Sequence, residues 1–124
     1  MAGILYVLAD ASLTLCKIGA TGDASRLRER MHSATRAYGV QLFLYAQIAT
    51  DGDAFFIERG IHRAMREFRF GRQFGLRQDR APRELFQVSP AWARDAILSA
   101  VAADRAVRRG TRFVLGDGFI MYRE

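Results

Sequence analysis

Ile4–Arg30, ILYVLADASLTLCKIGATGDASRLRER, decides the fold. Two segments in it, Ile4–Leu8 and Leu13–Ile18, are dense in β-branched, aromatic and aliphatic residues, a composition that predicts two strands. Asp10, Ala11 and Ser12 lie between them, and the Asp and Ser favour a turn. In the resulting antiparallel hairpin Tyr6 is expected roughly opposite Lys17, with both side chains on one face. Gly19 is expected to end the second strand, where backbone must turn or be approached closely. Asp23 or Ser25 can cap the helix that follows, which puts Arg26 in its first turn. Singly, each of these residues has an ordinary structural reading: a core tyrosine, a solvated lysine, an arginine opposing a helix dipole. Together they gather a phenol, an amine and a guanidinium at one end of a hairpin.

Beyond that stretch, Leu27, Met31, Ala34 and Tyr38 form an apolar stripe along a helix expected over 24–37, closed by Gly39. Arg26 and Arg30 share a face of it, either as a solvated edge or as a phosphate clamp, and His32 is expected at the surface. Val40–Ala49 is apolar on both alternating faces, which predicts a strand that is central or covered on both sides. Thr50-Asp51-Gly52-Asp53 opens a second helix over 54–68, with Ile57, Ile61, Met65 and Phe68 as its core stripe. Glu58 and His62 lie one turn apart on it. Gly60 interrupts that helix at a cost of about 1 kcal/mol relative to Ala, which a close packing contact would explain.

The segment 69–83 loses periodicity and interleaves arginines with Phe70 and Phe74. Its alternatives are a solvated connection and a DNA-tracking loop, with Arg72, Arg77 and Arg80 on phosphates. Glu84–Val88 is short and extended; Ser89 and Pro90 then start a last helix, with Trp92, Ala96, Ile97, Ala100 and Val101 facing inward. Arg112–Leu115 and Phe119–Tyr122, joined by Gly-Asp-Gly, read as a tail hairpin and a candidate surface for homo-oligomer formation.

At 124 residues and 50% hydrophobic the chain is expected to build one core. No apolar run is long enough to span a membrane, and the N-terminus lacks a signal-peptide pattern. One cysteine, Cys16, leaves no partner for an internal disulfide. A cytoplasmic location follows as an expectation. The net charge is +6, and among nineteen basic residues only Lys17 is a lysine. The remaining arginines are planar, bidentate phosphate donors, which points to a nucleic-acid partner.

Leu5-Tyr6-Val7-Leu8, Lys17-Ile18-Gly19 and Arg26-Leu27, in that order and spacing, resemble the GIY-YIG nuclease superfamily, in particular the phage ORF-type branch whose second motif reads Lys-Ile-Gly. The resemblance runs from Ile4 to Pro90. It departs from the family pattern where Ile4 replaces the leading glycine and Lys17 the second tyrosine, and no late asparagine is matched. It implies an α+β fold: a small three-stranded mixed sheet, the hairpin plus one strand, packed by helices. Residues 1–90 would be the nuclease-like domain, and 91–124 a helix and hairpin packed on it. It further implies that Glu58, in Phe-Ile-Glu-Arg, is the single metal ligand, and that His62 matches a histidine of the branch. On this reading Tyr6 is general base or water-orienting group, kept reactive by the Lys17 ammonium. Arg26, with Arg30, binds the phosphate; Gly19 and His62 support the site; Glu58 holds Mg²⁺ or Mn²⁺. The expected substrate is double-stranded DNA. The alternatives are a DNA-binding module that has lost cleavage, which need not keep Glu58, and a phage-type structural protein.

Overall fold

A computed structural model describes residues 3–68, 85–108, 113–114 and 121–122. Strand β1 (Gly3–Ala9) and strand β2 (Cys16–Thr21) form the opening hairpin. A single 3₁₀ turn (Ala24–Arg26) leads into helix α1 (Leu27–Tyr38), followed by β3 (Phe43–Thr50), helix α2 (Ala54–Ala64) and a second 3₁₀ turn (Arg66–Phe68). Strand β4 (Leu85–Phe86), helix α3 (Pro90–Arg108) and strands β5 (Phe113–Val114) and β6 (Met121–Tyr122) complete the described elements.

The first four strands make one sheet in the order β3-β1-β2-β4. The α+β class is as expected, but the sheet differs from the expected one in two ways. It has a fourth strand, and among the described residues it is not mixed: every pairing is antiparallel. Both β2 and β3 run against β1, so α1 is the crossover that carries the chain past β1 to its far side. That crossover covers one face of the sheet. Tyr6 and Leu8 pack there with Leu27, Ala34 and Leu42. On the other face Leu5, Val7 and Ile18 pack with Ile57 and Ile61 of α2 and Ala93, Ile97 and Val101 of α3. The alternation of β1 thus serves two cores, and this is why almost every residue of it is buried.

The hairpin connection is longer than the composition suggests, because Leu13–Leu15 belong to it and not to β2. Asp10 organises it. Its carboxylate accepts bonds from the amides of Thr14 and Leu15, both at 2.9 Å, and from the Ser12 hydroxyl at 2.6 Å. Partial burial works against the charge, but the bonds from Ser12, Leu15 and Thr14 outweigh it and hold the carboxyl below its ordinary range. Leu13, at the tip, adopts a left-handed φ of 60°.

Strand β3 is an edge strand, contrary to the expectation of cover on both sides: Phe43, Leu44 and Tyr45 are exposed. Its apolar residues reflect strand propensity more than burial. The register against β1 slips between Val7 and Leu8, so Tyr45 is the extra residue of a bulge. Gly39 closes α1 in the left-handed conformation, its amide bonding the Thr35 carbonyl at 3.0 Å. Asp53 caps α2 by accepting from the amides of Phe55 and Phe56.

Three packing expectations are corrected. Trp92 is 39% exposed and meets Phe68 edge-on, because Ala93 takes the inward position of that turn. Phe68 lies outside α2 and is itself exposed. A Cβ at Gly60 would meet nothing within 4 Å, so no packing contact accounts for that glycine. The tail hairpin is present as an antiparallel ribbon, Phe113 pairing with Tyr122, separate from the main sheet. Arg72, Arg77 and Arg80 lie outside the described residues.

Candidate functional site

Tyr6 and Lys17 project from the same face of the sheet, as the hairpin reading expects, but not directly opposite each other. Tyr6 pairs with Gly19, and Lys17 pairs with Leu8. The offset of two residues makes the contact diagonal, within reach of long side chains. The Lys17 ammonium donates to the Tyr6 hydroxyl at 3.2 Å and lies 5.5 Å from the centre of the ring. Tyr6 is 1% exposed and Lys17 8%, so the charge-assisted bond lies under cover.

Gly19 explains how the phenol fits. It lies within β2, not at its end, and a Cβ there would overlap the Tyr6 Cζ and hydroxyl oxygen. The ring lies across the bare backbone of the glycine. Gly19→Ala is expected to destabilise the fold by about 1–3 kcal/mol, the usual result of overpacking a filled core. Chemical denaturation measures the loss, and an unchanged midpoint would show that the ring has room to move.

His62 fixes the same motif from the outside. Among the described residues strand β4 pairs β2 at Cys16 and Lys17. At the next residue the His62 imidazole reaches the backbone of β2: Nε2–H donates to the Ile18 carbonyl at 2.8 Å, which places a proton on Nε2. The ring also packs on Phe86 at a centroid distance of 5.3 Å. The backbone between Lys17 and Gly19 is therefore held by a helix that otherwise covers the opposite face of the sheet. Glu58 lies one turn before His62 on that helix and is half-buried.

Arg26 enters from the Gly22–Asp23 turn. The Asp23 carboxylate accepts from the Ser25 amide at 2.9 Å and starts the 3₁₀ turn that ends at Arg26. The backbone and hydroxyl of Ser25, with the Arg26 charge, hold the Asp23 carboxyl below its ordinary range. Arg26 is exposed, and its neighbour Leu27 packs into the cluster that contains Tyr6. Arg30 is half-buried one turn further along, and His32 is exposed, as expected. The structure thus brings Tyr6, Lys17 and Gly19 into direct contact and joins His62 to their backbone. Glu58 and Arg26 stand on the two elements that flank them.

Two neighbours escape the sequence reading. Gln47 on β3 lies directly beside Tyr6 in register, which only the register of a distant strand reveals. Cys16 is fully buried, and burial, reinforced by the Asp10 charge, pushes its thiol up to about 12, so it is no nucleophile.

Among the described residues no group of three or more His, Cys, Asp or Glu side chains is placed to hold a metal ion. A lone carboxylate still suits Mg²⁺, which keeps most of its waters and often takes only one or two carboxylates plus substrate phosphate. Among the same residues no helix is long and apolar enough to cross a membrane.

A family model described as the T5orf172 domain matches residues 3–101 of the chain, from β1 through most of α3. No curated protein and no solved structure matches it.

Proposed function

We propose that this chain, which belongs to the T5orf172 domain family, is a divalent-metal-dependent DNA endonuclease of GIY-YIG type. The observation that carries the reading is the Tyr6–Lys17 bond of 3.2 Å, seated on Gly19. A phenol and an ammonium held in contact suit a reaction that moves a proton beside a phosphate.

Hydrolysis forms a bond from water oxygen to phosphorus and breaks the bond to the 3′-oxygen. Tyr6 orients the water through its hydroxyl oxygen; the water gives up a proton to solvent as it attacks, and the departing 3′-oxygen takes one up from solvent. Its burial sets the order of events. The phenolic oxygen is covered by Lys17, so water reaches it when the ammonium turns to an incoming phosphate. Lys17 then exchanges one oxygen partner for another. Arg26, exposed at the end of its 3₁₀ turn, donates to a non-bridging oxygen, with Arg30 beside it. Glu58 would hold Mg²⁺ or Mn²⁺. When bound, that cation supplies Lewis-acid charge for the leaving 3′-oxygen. His62 and Gly19 act through position, by fixing the backbone of Lys17-Ile18-Gly19.

The near-complete burial of Tyr6 favours one second reading, a DNA-binding module that keeps the fold without cutting. Supercoiled plasmid with Mg²⁺ or Mn²⁺, against an EDTA control, separates the two. Nicked or linear product in metal alone is expected. Intact plasmid in all three, with DNA still bound, would leave the binding module.

A further inference from the structure

Helix α1 carries a basic face that the mechanism does not use. Arg28, His32 and Arg36 stand at i, i+4 and i+8, hence on one side of the helix, and all three are exposed. With Ser25 and Glu29 they line a groove along its outer surface. A second groove shares Ser25 and Arg28 and continues to Leu44 and Gln47 of β3. Gln47 is the register neighbour of Tyr6. The two grooves therefore join into one track from the edge of the candidate site to Arg36. Its length suits a polymer more than a small ligand: eight helical residues separate Arg28 from Arg36 by about 12 Å, several times the roughly 3.4 Å axial step of one DNA strand.

The charges of this track are available. Arg94 and Arg108 are engaged by Asp95, Asp51 and Asp104, whereas among the described residues no salt bridge involves Arg28 or Arg36. Among the described residues the one acid in the groove, Glu29, sits in the first turn of α1, where a negative charge complements the helix dipole.

We infer that the outer face of α1 is a docking track for the phosphate backbone of duplex DNA. Arg28 and Arg36 contact separate phosphates, and the His32 imidazole N–H lies between them as a further donor. The inference rests on the reading of DNA as the substrate, and it places the backbone beyond the reacting phosphate along α1.

Binding of a short fluorescent duplex, measured across a range of salt in EDTA, tests the track without requiring cleavage. Each phosphate contact contributes about 0.9 to the slope of log affinity against log salt, so Arg28→Ala/Arg36→Ala is expected to flatten it by nearly two. The comparison variant is Arg59→Ala/Arg63→Ala, which removes the same charge from exposed positions on α2, across the sheet. It is expected to change the slope far less. Both pairs are exposed, and thermal melts confirm that each variant is folded. If the wild-type chain binds duplex and the α1 variant keeps its slope, or if both variants lose slope equally, the track is overturned and the functional reading stands. If the wild-type chain binds no DNA, that reading falls, and the track with it.

Discussion

Glu58→Gln is expected to fold, to keep binding DNA, and to yield no cleavage product at any practical Mg²⁺ or Mn²⁺ concentration. Glutamine keeps the shape of the side chain and one carbonyl oxygen. It loses the negative charge that a hard divalent cation requires. Glu58 is half-buried, one helical turn from His62, whose imidazole grips the Ile18 carbonyl. A substitution there that preserves volume should leave this packing in place. In EDTA, where no cation joins Glu58 to phosphate, removing a negative charge near the substrate is expected to favour binding. The competing role for Glu58 is electrostatic balance of the nearby cations, and it predicts the opposite pattern: lower thermal stability with metal-dependent cutting retained. Plasmid nicking across a metal titration, with a thermal melt of the same preparation, distinguishes the two. Cutting with normal metal dependence would end the assignment of Glu58 as ligand.

Arg26→Ala is expected to slow cleavage by roughly a hundredfold or more, the effect of losing a positioned donor worth about 3 kcal/mol in the transition state. The fold should not notice. The guanidinium is exposed, and exposed charge interactions of this kind contribute about 0–1 kcal/mol. Asp23 keeps its cap on Ser25, because that bond uses backbone. Arg26→Lys is expected to recover only part of the rate, since an ammonium supplies charge without the two-pronged geometry of a guanidinium. The turnover rate and the melting temperature should therefore separate: one falls, the other holds. Wild-type turnover in Arg26→Ala would remove this residue from the mechanism.

The hairpin, the three helices and the facing of Tyr6 and Lys17 were legible because each rests on local pattern: a period of two, a stripe at i and i+4, a turn residue. The shift of register that pairs Tyr6 with Gly19 was not, because Leu13–Leu15 are as apolar as a strand and only the bonds to Asp10 reveal them as connection. Gly19 could be read as a point of close approach, but not as the seat of a particular ring. The extended run Glu84–Val88 that holds β4 was legible, but its place in the sheet was not, because the strand is two residues long and is defined by its partner. The edge position of β3 is set by topology, to which its apolar residues give no clue. His62 was legible as a neighbour of Glu58 through helical spacing. Its hold on Ile18 spans 44 residues of sequence and depends on how α2 wraps the sheet.

The pairing of Lys17 with Tyr6 also makes the chain its own chemical probe. Lys17 is the one lysine in the sequence, so an amine-selective acylating reagent has a single side-chain target. That target is 8% exposed and occupied by a phenol, and it reacts only in the moments when the pair has parted. The rate of acylation then counts those openings. Mass spectrometry of the peptide that carries Lys17, which separates it from the α-amine, could follow them, and a phosphate-bearing ligand that draws the ammonium outward would change the rate without any turnover taking place.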